Sequence, residues 1–260
     1  MQSRTDLLEK ATEAHGGLAL WESVGEVRAK VSGGGFGFAA KFPASPAEPR
    51  RALRGEARVS TATPRTILAP YPGPGRRGLF EADLVRIESE DGQVLAERRN
   101  PRTAFRDLRH NLWWDHLDLM HFVGYALWNY LNTPFLLLRP GIEHREVSPW
   151  HEKGEHWRRL AVTFPPDLPT HSREQVFYFD AAGLLRRLDY TAEPFGSWCG
   201  CANYAWQHQT FSGLVVPTRR KVLLRKSSGR PRPRPTFVWI KLDQVTLGPR
   251  GNEPGVVPCR

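Results

Sequence analysis

The sequence predicts a mainly β (α+β) protein with a curved antiparallel sheet or open half-barrel of about 10–12 strands wrapped around a central helix, and an N-terminal helix. Three observations carry this prediction. Many segments alternate apolar and polar residues with a period of two, which is typical of strands. Glycine (23 residues) and proline (22 residues) are spread through all 260 residues and mark frequent turns. One central segment is apolar without alternation, as expected of an enclosed helix.

The N-terminal segment is predicted to form a helix over residues 3–15. Ser3 is a candidate N-cap, and Asp6 follows three residues later in a variant of the capping box. Gly16–Gly17 end the helix in the usual position of a C-cap. The apolar stripe of this helix consists of Leu7, Leu8, Ala11 and Ala14.

Alternating segments predict strands in both halves of the chain. Val27–Ser32 and Phe36–Phe42 are expected to form a hairpin around Gly33–Gly35, and Asp91–Gly92 marks another hairpin turn. A basic, proline-rich loop over residues 227–235 is expected to be extended and mobile. The other predicted strands are Leu53–Thr61, Arg65–Ala69, Leu79–Ser89, Gln93–Arg99, Ile142–Ser148, His156–Phe164, Gln175–Phe179, Leu184–Thr191, Asn203–Phe211, Val215–Arg225 and Phe237–Thr246.

The central segment differs in character from the strands. After Arg109, residues 110–138 contain no lysine or arginine and only two acidic residues, Asp115 and Asp118. This run predicts a helix over about 115–132 that ends near Thr133–Pro134. The helix is too apolar to stand free in water, so we expect it to pack into the concave face of the sheet.

The composition is that of an ordinary globular protein, with 40% hydrophobic and 25% charged residues, and residues 1–260 are predicted to form one domain. The net charge of +10 favours anionic ligands. The basic residues come in scattered doublets such as Arg186–Arg187 and Arg219–Arg220. Neighbours on a strand point to opposite faces, so these doublets do not form a continuous patch. We therefore expect no nucleic-acid partner. The protein is also expected to be a monomer.

Targeting and cofactor signals are missing from the sequence. The first residues, MQSRTDLLEK, have no apolar signal core, and the stretch 117–138 is too polar for a span, so a cytoplasmic protein without stable membrane insertion is predicted. Cys199, Cys201 and Cys259 do not make a disulfide framework. The chain has no metal-ligand motif, nucleotide-binding glycine loop or nucleophile elbow, so neither metal nor cofactor is expected.

Four segments carry a resemblance to known sequences: HGGLALWESV, GYALWNYLNTPFLL, TFPPDLPTHSREQVFYFDAAGLLRRLDYTAE and FSGLVVPTRRKV. Together they resemble an uncharacterised bacterial family that is distantly similar to the outer-membrane lipoprotein carrier (LolA/LppX-like) fold. In that fold, an open β-barrel is closed by helices around an acyl-chain cavity. The resemblance implies an apolar cavity in this chain and does not identify a cargo.

A polar stripe lies along the otherwise apolar central helix. Its members Asp118, His121, Tyr125 and Asn129 fall within about 80° of one another at 100° per residue. The stripe has three interpretations, namely a solvent face, a buried structural network, or a site that lines a cavity. Flanking tryptophans that would join such a site are Trp114 and Trp128.

If the stripe lines a site, its side chains are of the types that carry out acid–base catalysis. His121 is the candidate general acid or base, Asp118 lies three residues away as its orienting partner, and Tyr125 is a candidate proton donor. Asp115 and His116 lie just upstream and are alternatives for the carboxylate and the imidazole.

Strands in the last third of the chain supply candidate pocket walls. By strict alternation, Tyr204, Trp206 and His208 share one face of their strand. Tyr178 and Tyr190 lie on neighbouring strands and are expected to project the same way. The same pattern also fits a packed core that contains one hydrogen-bonded histidine.

Two functions fit these observations. The first is a protein that encloses a hydrophobic or amphiphilic small molecule between sheet and helix, with an acidic head group suited to the basic charge. The alternative is a cofactor-independent cyclase, isomerase or hydrolase of specialised metabolism that uses the Asp/His/Tyr set in the same cavity. The enzyme requires Asp118, His121 and Tyr125 to face a cavity with hydrogen-bonding groups that have no protein partner. If these side chains are fully paired with strand residues, binding or a structural role is favoured.

Overall fold

The structure, a computed structural model, describes residues 6–41 and 53–251. The strands in these ranges are β1 (Val24–Gly34), β2 (Leu53–Ser60), β3 (Arg65–Ala69), β4 (Arg76–Glu81), β5 (Leu84–Ser89), β6 (Val94–Arg99), β7 (Glu143–Glu152), β8 (Glu155–Thr163), β9 (Glu174–Phe179), β10 (Leu185–Thr191), β11 (Gly200–Phe211), β12 (Leu214–Leu224) and β13 (Val238–Pro249). They form one antiparallel sheet in the order β6-β5-β4-β3-β2-β1-β13-β12-β11-β10-β9-β8-β7. The sheet is open, with β6 and β7 at its edges, and confirms the predicted curved half-barrel.

Two meanders make up the sheet and meet where β1 pairs with β13. Helices connect the meanders and cover one face of the sheet, which we call the inner face. They are α1 (Asp6–Ala14), α2 (Leu18–Ser23), α3 (Phe36–Lys41), α4 (Pro101–Ala104), α5 (Leu108–Leu112) and α6 (His116–Asn132), with short 3₁₀ helices at Phe135–Leu138 and Glu193–Phe195. None of the helices in the described ranges has the length and apolarity that a membrane span requires.

Helix α6 is enclosed by the sheet and the shorter helices. Every residue from Leu117 to Asn132 is buried, which explains the missing alternation between apolar and polar positions. The helix packs closely on β4, because a Cβ atom added at Gly124 would lie 2.3 Å from the Cβ of Phe80. Helix α1 lies on the same side of the sheet, where Asp6 pairs with Arg158 of β8.

Two predicted strand boundaries are wrong. Phe36–Lys41 is a helix rather than the second strand of a hairpin, because Gly35 (φ 133°) turns the chain out of the sheet. Strand β1 pairs instead with β2 and β13. The predicted strand Leu79–Ser89 is divided into the hairpin β4–β5.

The proline-rich loop 227–235 is not simply extended. It folds back so that Arg225 forms a β-bridge with Pro231, and the backbone of Lys226 donates to the Arg230 carbonyl. The Gly229 carbonyl accepts a hydrogen bond from Arg187. Its mobility stays a prediction.

Candidate functional site

The N-terminal end of α6 holds two of the candidate residues, Asp115 and Asp118. Each side chain accepts a hydrogen bond from the backbone N–H of the other, which makes a capping box. Arg98 of β6 binds both carboxylates, with 2.6 Å to Asp115 Oδ2 and 2.6 Å to Asp118 Oδ1. His110 Nδ1 lies 2.7 Å from the other oxygen of Asp118. Both oxygens of Asp118 are therefore engaged in anchoring the helix.

The charges in this cap are balanced by Arg98. Burial raises the pKa of Asp118. Burial acts in the same direction on Asp115 and is the largest single influence there, but the hydrogen bonds from Arg98 and from the Asp118 backbone, together with the charge of Arg98, outweigh it and lower the pKa of that carboxyl. Ligand atoms of His110, Asp115 and Asp118 lie within 4.8 Å of one another, a spacing that a cation would accept. Since the guanidinium already supplies positive charge there, the cluster is explained as a helix cap.

His121 lies in an aromatic box and does not pair with Asp118. Its ring centroid is 5.8 Å from those of Phe80 and Phe105 and 5.2 Å from that of Tyr125. Neither ring nitrogen has a hydrogen-bond partner among the described residues. Burial lowers the pKa of His121 to about 3, so the ring is neutral at pH 7. The expected Asp118–His121 pair is absent because Arg98 and His110 occupy the carboxylate.

Tyr125 and Tyr190 belong to a buried network centred on His171. The Tyr125 hydroxyl lies 3.2 Å from His171 Nδ1, and the Tyr130 hydroxyl lies 2.7 Å from Nε2. The Tyr130 and Tyr190 hydroxyls are 3.1 Å apart, and the Tyr190 ring stacks on His171 at 3.8 Å. Burial lowers the pKa of His171 and raises that of all three tyrosines. Both imidazole nitrogens are used within the protein, which is the behaviour of a structural network.

Four other candidates anchor α6 to neighbouring segments. Asn129 Nδ2 donates to the carbonyl oxygens of Tyr125 (2.7 Å) and Pro169 (2.8 Å). Trp128 Nε1 donates to the Ser60 carbonyl, and the carbonyl of His116 accepts a hydrogen bond from the Tyr71 hydroxyl. The Trp114 ring packs against three aromatic rings, those of Phe105, Phe122 and Phe195. These contacts therefore hold α6 against its neighbours near both ends of the helix.

The strand candidates Tyr178 and Tyr190 lie on opposite faces of the sheet. Arg187 pairs with both Tyr178 and Tyr204, so these three residues share one face. Tyr190 follows Arg187 by three positions and therefore points to the inner face, towards α6. On the outer face, the Tyr204 hydroxyl donates to Glu152 at 2.7 Å. The expectation that Tyr178 and Tyr190 project the same way is wrong.

His208 departs from the strict alternation predicted for its strand. Gln207 adopts a left-handed backbone (φ 53°), which interrupts the period of two. His208 contacts His15, the residue after α1, with ring centroids 6.1 Å apart, whereas Trp206 pairs with Arg219. Burial lowers the pKa of His208 to about 4. The shared face of Tyr204, Trp206 and His208 is therefore not observed.

Two spaces in the molecule differ greatly in size and lining. A nearly filled cavity of about 20 Å³ lies between α6 and the central strands and is lined almost wholly by apolar side chains. An open, polar groove of about 1270 Å³ runs over the outer face of β7–β10. Its floor includes Arg159, Ala161 and Tyr178.

Sequence reasoning missed a buried cation beside the inner cavity. Arg220 of β12 is 2% exposed and lies over the ring of Tyr130 at 4.4 Å. Among the described residues, no carboxylate lies within salt-bridge distance of its guanidinium. The doublet Arg219–Arg220 contained the signal, since alternation places one of the two on the inner face.

Comparisons with known proteins show the fold. No family model matches the chain, and no curated protein matches it in sequence. A LolA superfamily protein from Nitrosomonas europaea superimposes with a TM-score of 0.52 at 11% identity, over 95% of this chain and 94% of that chain. A domain from Vibrio parahaemolyticus assigned to outer-membrane lipoprotein sorting gives 0.51 at 9% identity, over 92% and 91%. The chain therefore has a LolA-like fold, as the resemblance implies.

Proposed function

We propose that this protein binds a hydrophobic or amphiphilic small molecule between α6 and the inner face of the sheet. The observation that carries the proposal is the apolar lining of the inner cavity. Phe122, Val123 and Ala126 line it from the helix. From the sheet, Val222, Val238 and Ile240 face them. An alkyl chain placed here would be removed from water on all sides, at a gain of about 0.8 kcal/mol per buried CH₂.

Binding requires the helix and the sheet to separate. The cavity of about 20 Å³ is far below the roughly 300–1,000 Å³ of typical ligand pockets. Contacts between apolar surfaces are non-directional, so a ligand chain can replace them without leaving polar groups unpaired. Polar contacts hold α6 at Asp118 near its start, at Tyr125 and Tyr130 through His171, and at Asn129 and Asn132 near its end, and of these residues only Tyr130 lines the cavity.

The outer groove is a weaker candidate despite its size. Its most buried charged group, Asp189, already binds Arg187 at 2.6 Å and accepts a hydrogen bond from Tyr178 at 2.8 Å. Arg159 is engaged with the Ser148 carbonyl. These charged groups of the groove are therefore already paired within the protein, although His144 Nδ1, which also lines the groove, has no hydrogen-bond partner among the described residues.

The fold supports the proposal in general terms. One protein that shares it is assigned to lipoprotein sorting, and a lipoprotein carries alkyl chains on a polar body. The acid–base alternative has less support from the described residues. Asp118 binds Arg98 and His110, and no residue in the described ranges makes a hydrogen bond that would orient His121.

A dye titration tests the proposed site. Nile red should bind saturably and be displaced by dodecanol, a neutral ligand. Ala126→Leu adds bulk to the filled cavity and should weaken both dye and dodecanol binding at least about tenfold, because overpacking costs roughly 1–3 kcal/mol. Ala182→Leu is the matched control, since Ala182 lies in an exposed turn. Absence of saturable binding, or equal binding by the two variants, would contradict the proposal.

A further inference from the structure

Among the described residues, no carboxylate lies within salt-bridge distance of the buried guanidinium of Arg220. Its Nη2 atom lies 3.5 Å from the Tyr130 carbonyl, a long contact, and the Tyr130 ring lies beneath it. Nε and Nη1 have no hydrogen-bond partner in the described ranges. Burial lowers the pKa of Arg220 to about 10, so the group is still charged at pH 7. A cation buried without an anion is costly, and proteins normally pair such groups.

A second unpaired polar side chain lies beside Arg220 on the inner face. Asn203 is 0% exposed and lies close enough to the Tyr130 hydroxyl to lower the pKa of that group, but among the described residues neither its Oδ1 nor its Nδ2 atom makes a hydrogen bond of standard geometry. Asn203 pairs with Val222, two positions from Arg220 on the neighbouring strand. Diagonal neighbours of this kind are about 7–8 Å apart at the backbone. Two long side chains at this distance can both contact one ligand group.

Both groups adjoin the apolar cavity. Val222, which lines that cavity, neighbours both groups on the inner face, since it pairs with Asn203 and lies two positions from Arg220 on β12. Tyr130 lines the same cavity and contacts Arg220. A ligand whose chain lies along α6 would therefore bring its polar end to Arg220 and Asn203.

We propose that Arg220 and Asn203 bind an anionic head group, so that the protein prefers acidic amphiphiles over neutral ones. This inference rests on the proposed function and specifies its ligand class. A carboxylate or phosphate oxygen accepts from the free Nε and Nη1 of Arg220, while Asn203 Nδ2 donates to a second oxygen. The shared chemistry is a compact oxyanion on an alkyl chain.

Displacement of Nile red by three twelve-carbon ligands tests the preference. Dodecanoate and dodecyl phosphate should displace the dye at concentrations at least about tenfold below that of dodecanol, because hydrogen bonds to charged groups are the stronger ones. The tighter of the two acids identifies the head group. Arg220→Met should abolish the preference and retain dodecanol binding, whereas Arg220→Lys should keep part of it.

Arg219→Met is the matched control, because Arg219 neighbours Arg220 but points to the outer face. It should leave the preference unchanged. The melting temperature of Arg220→Met should be equal to or above that of the wild type, since the variant removes an unpaired buried charge. A large drop in that temperature, or a preference that survives Arg220→Met, would overturn the inference. Equal binding of acids and alcohol by the wild type would overturn it while the proposed function stands, and no displacement by any ligand would overturn both.

Discussion

Acidification should destabilise this protein through three buried histidines, His15, His121 and His171. Each is at most 1% exposed. Burial lowers the pKa of His15 to about 4, that of His121 to about 3, and that of His171 well below its ordinary value. In an unfolded chain the same rings titrate near pH 6.5, as free imidazoles do. Between pH 6.5 and about pH 4, the unfolded state therefore binds more protons than the folded state.

The direction of the effect follows from proton linkage. Stability contributed by the neutral rings is complete above pH 6.5 and is lost as the pH falls towards the folded-state pKa values. From pH 7 to pH 5, His15 and His121 each cost about 1.9 kcal/mol, and His171 adds a loss in the same direction, so the three together cost at least roughly 4 kcal/mol. This loss is a large share of the typical unfolding free energy of about 5–15 kcal/mol.

Urea unfolding at pH 7 and pH 5 measures this loss. In His121→Leu, the pH-dependent loss should shrink by about 1.9 kcal/mol, because the protonation of that one ring is removed. Phe177→Leu is the control, since it removes a buried aromatic ring that does not titrate and should lower stability equally at both pH values. A wild-type loss below about 2 kcal/mol between the two pH values would refute the reasoning, because a single buried ring accounts for that much.

Three further predictions concern packing, the helix cap and the thiols. Gly124→Ala should lower stability by about 1–3 kcal/mol in thermal denaturation, since its Cβ would meet that of Phe80; an unchanged melting temperature would contradict the packing. Arg98→Met should cost about 3–5 kcal/mol in urea unfolding by leaving buried Asp118 without its guanidinium; a neutral effect would contradict the cap. The hydrogen bond with Cys199 and burial raise the pKa of the Cys201 thiol, so iodoacetamide should modify it far more slowly in buffer than in urea; equal rates would contradict its burial.

Periodicity predicted the sheet and the enclosed helix because both depend on local alternation between apolar and polar residues. It also predicted that neighbours in an arginine doublet face opposite ways, and Arg187 and Arg220 are indeed the buried members of their pairs. Which member is buried depends on strand register, which a single strand does not encode.

The partners of the site residues depend on contacts that are distant in sequence. Asp118 binds Arg98 of an edge strand, and this tertiary ion pair prevails over the local Asp118–His121 spacing. His171 lies in an irregular segment without periodicity, so no pattern marks it as the centre of a tyrosine network. The left-handed backbone of Gln207 changes the direction in which His208 points, and no sequence pattern predicts this change.

The position of a bound alkyl chain tests the central claim most directly. A fatty acid with a diazirine near the end of its chain, irradiated in complex with the protein, marks the residues around it, and mass spectrometry of the peptides locates the adducts. We predict adducts on α6 between Phe122 and Tyr130 and on the facing strands β12 and β13, all suppressed by excess dodecanoate. Adducts confined to β7–β9, which line the outer groove, would contradict the claim.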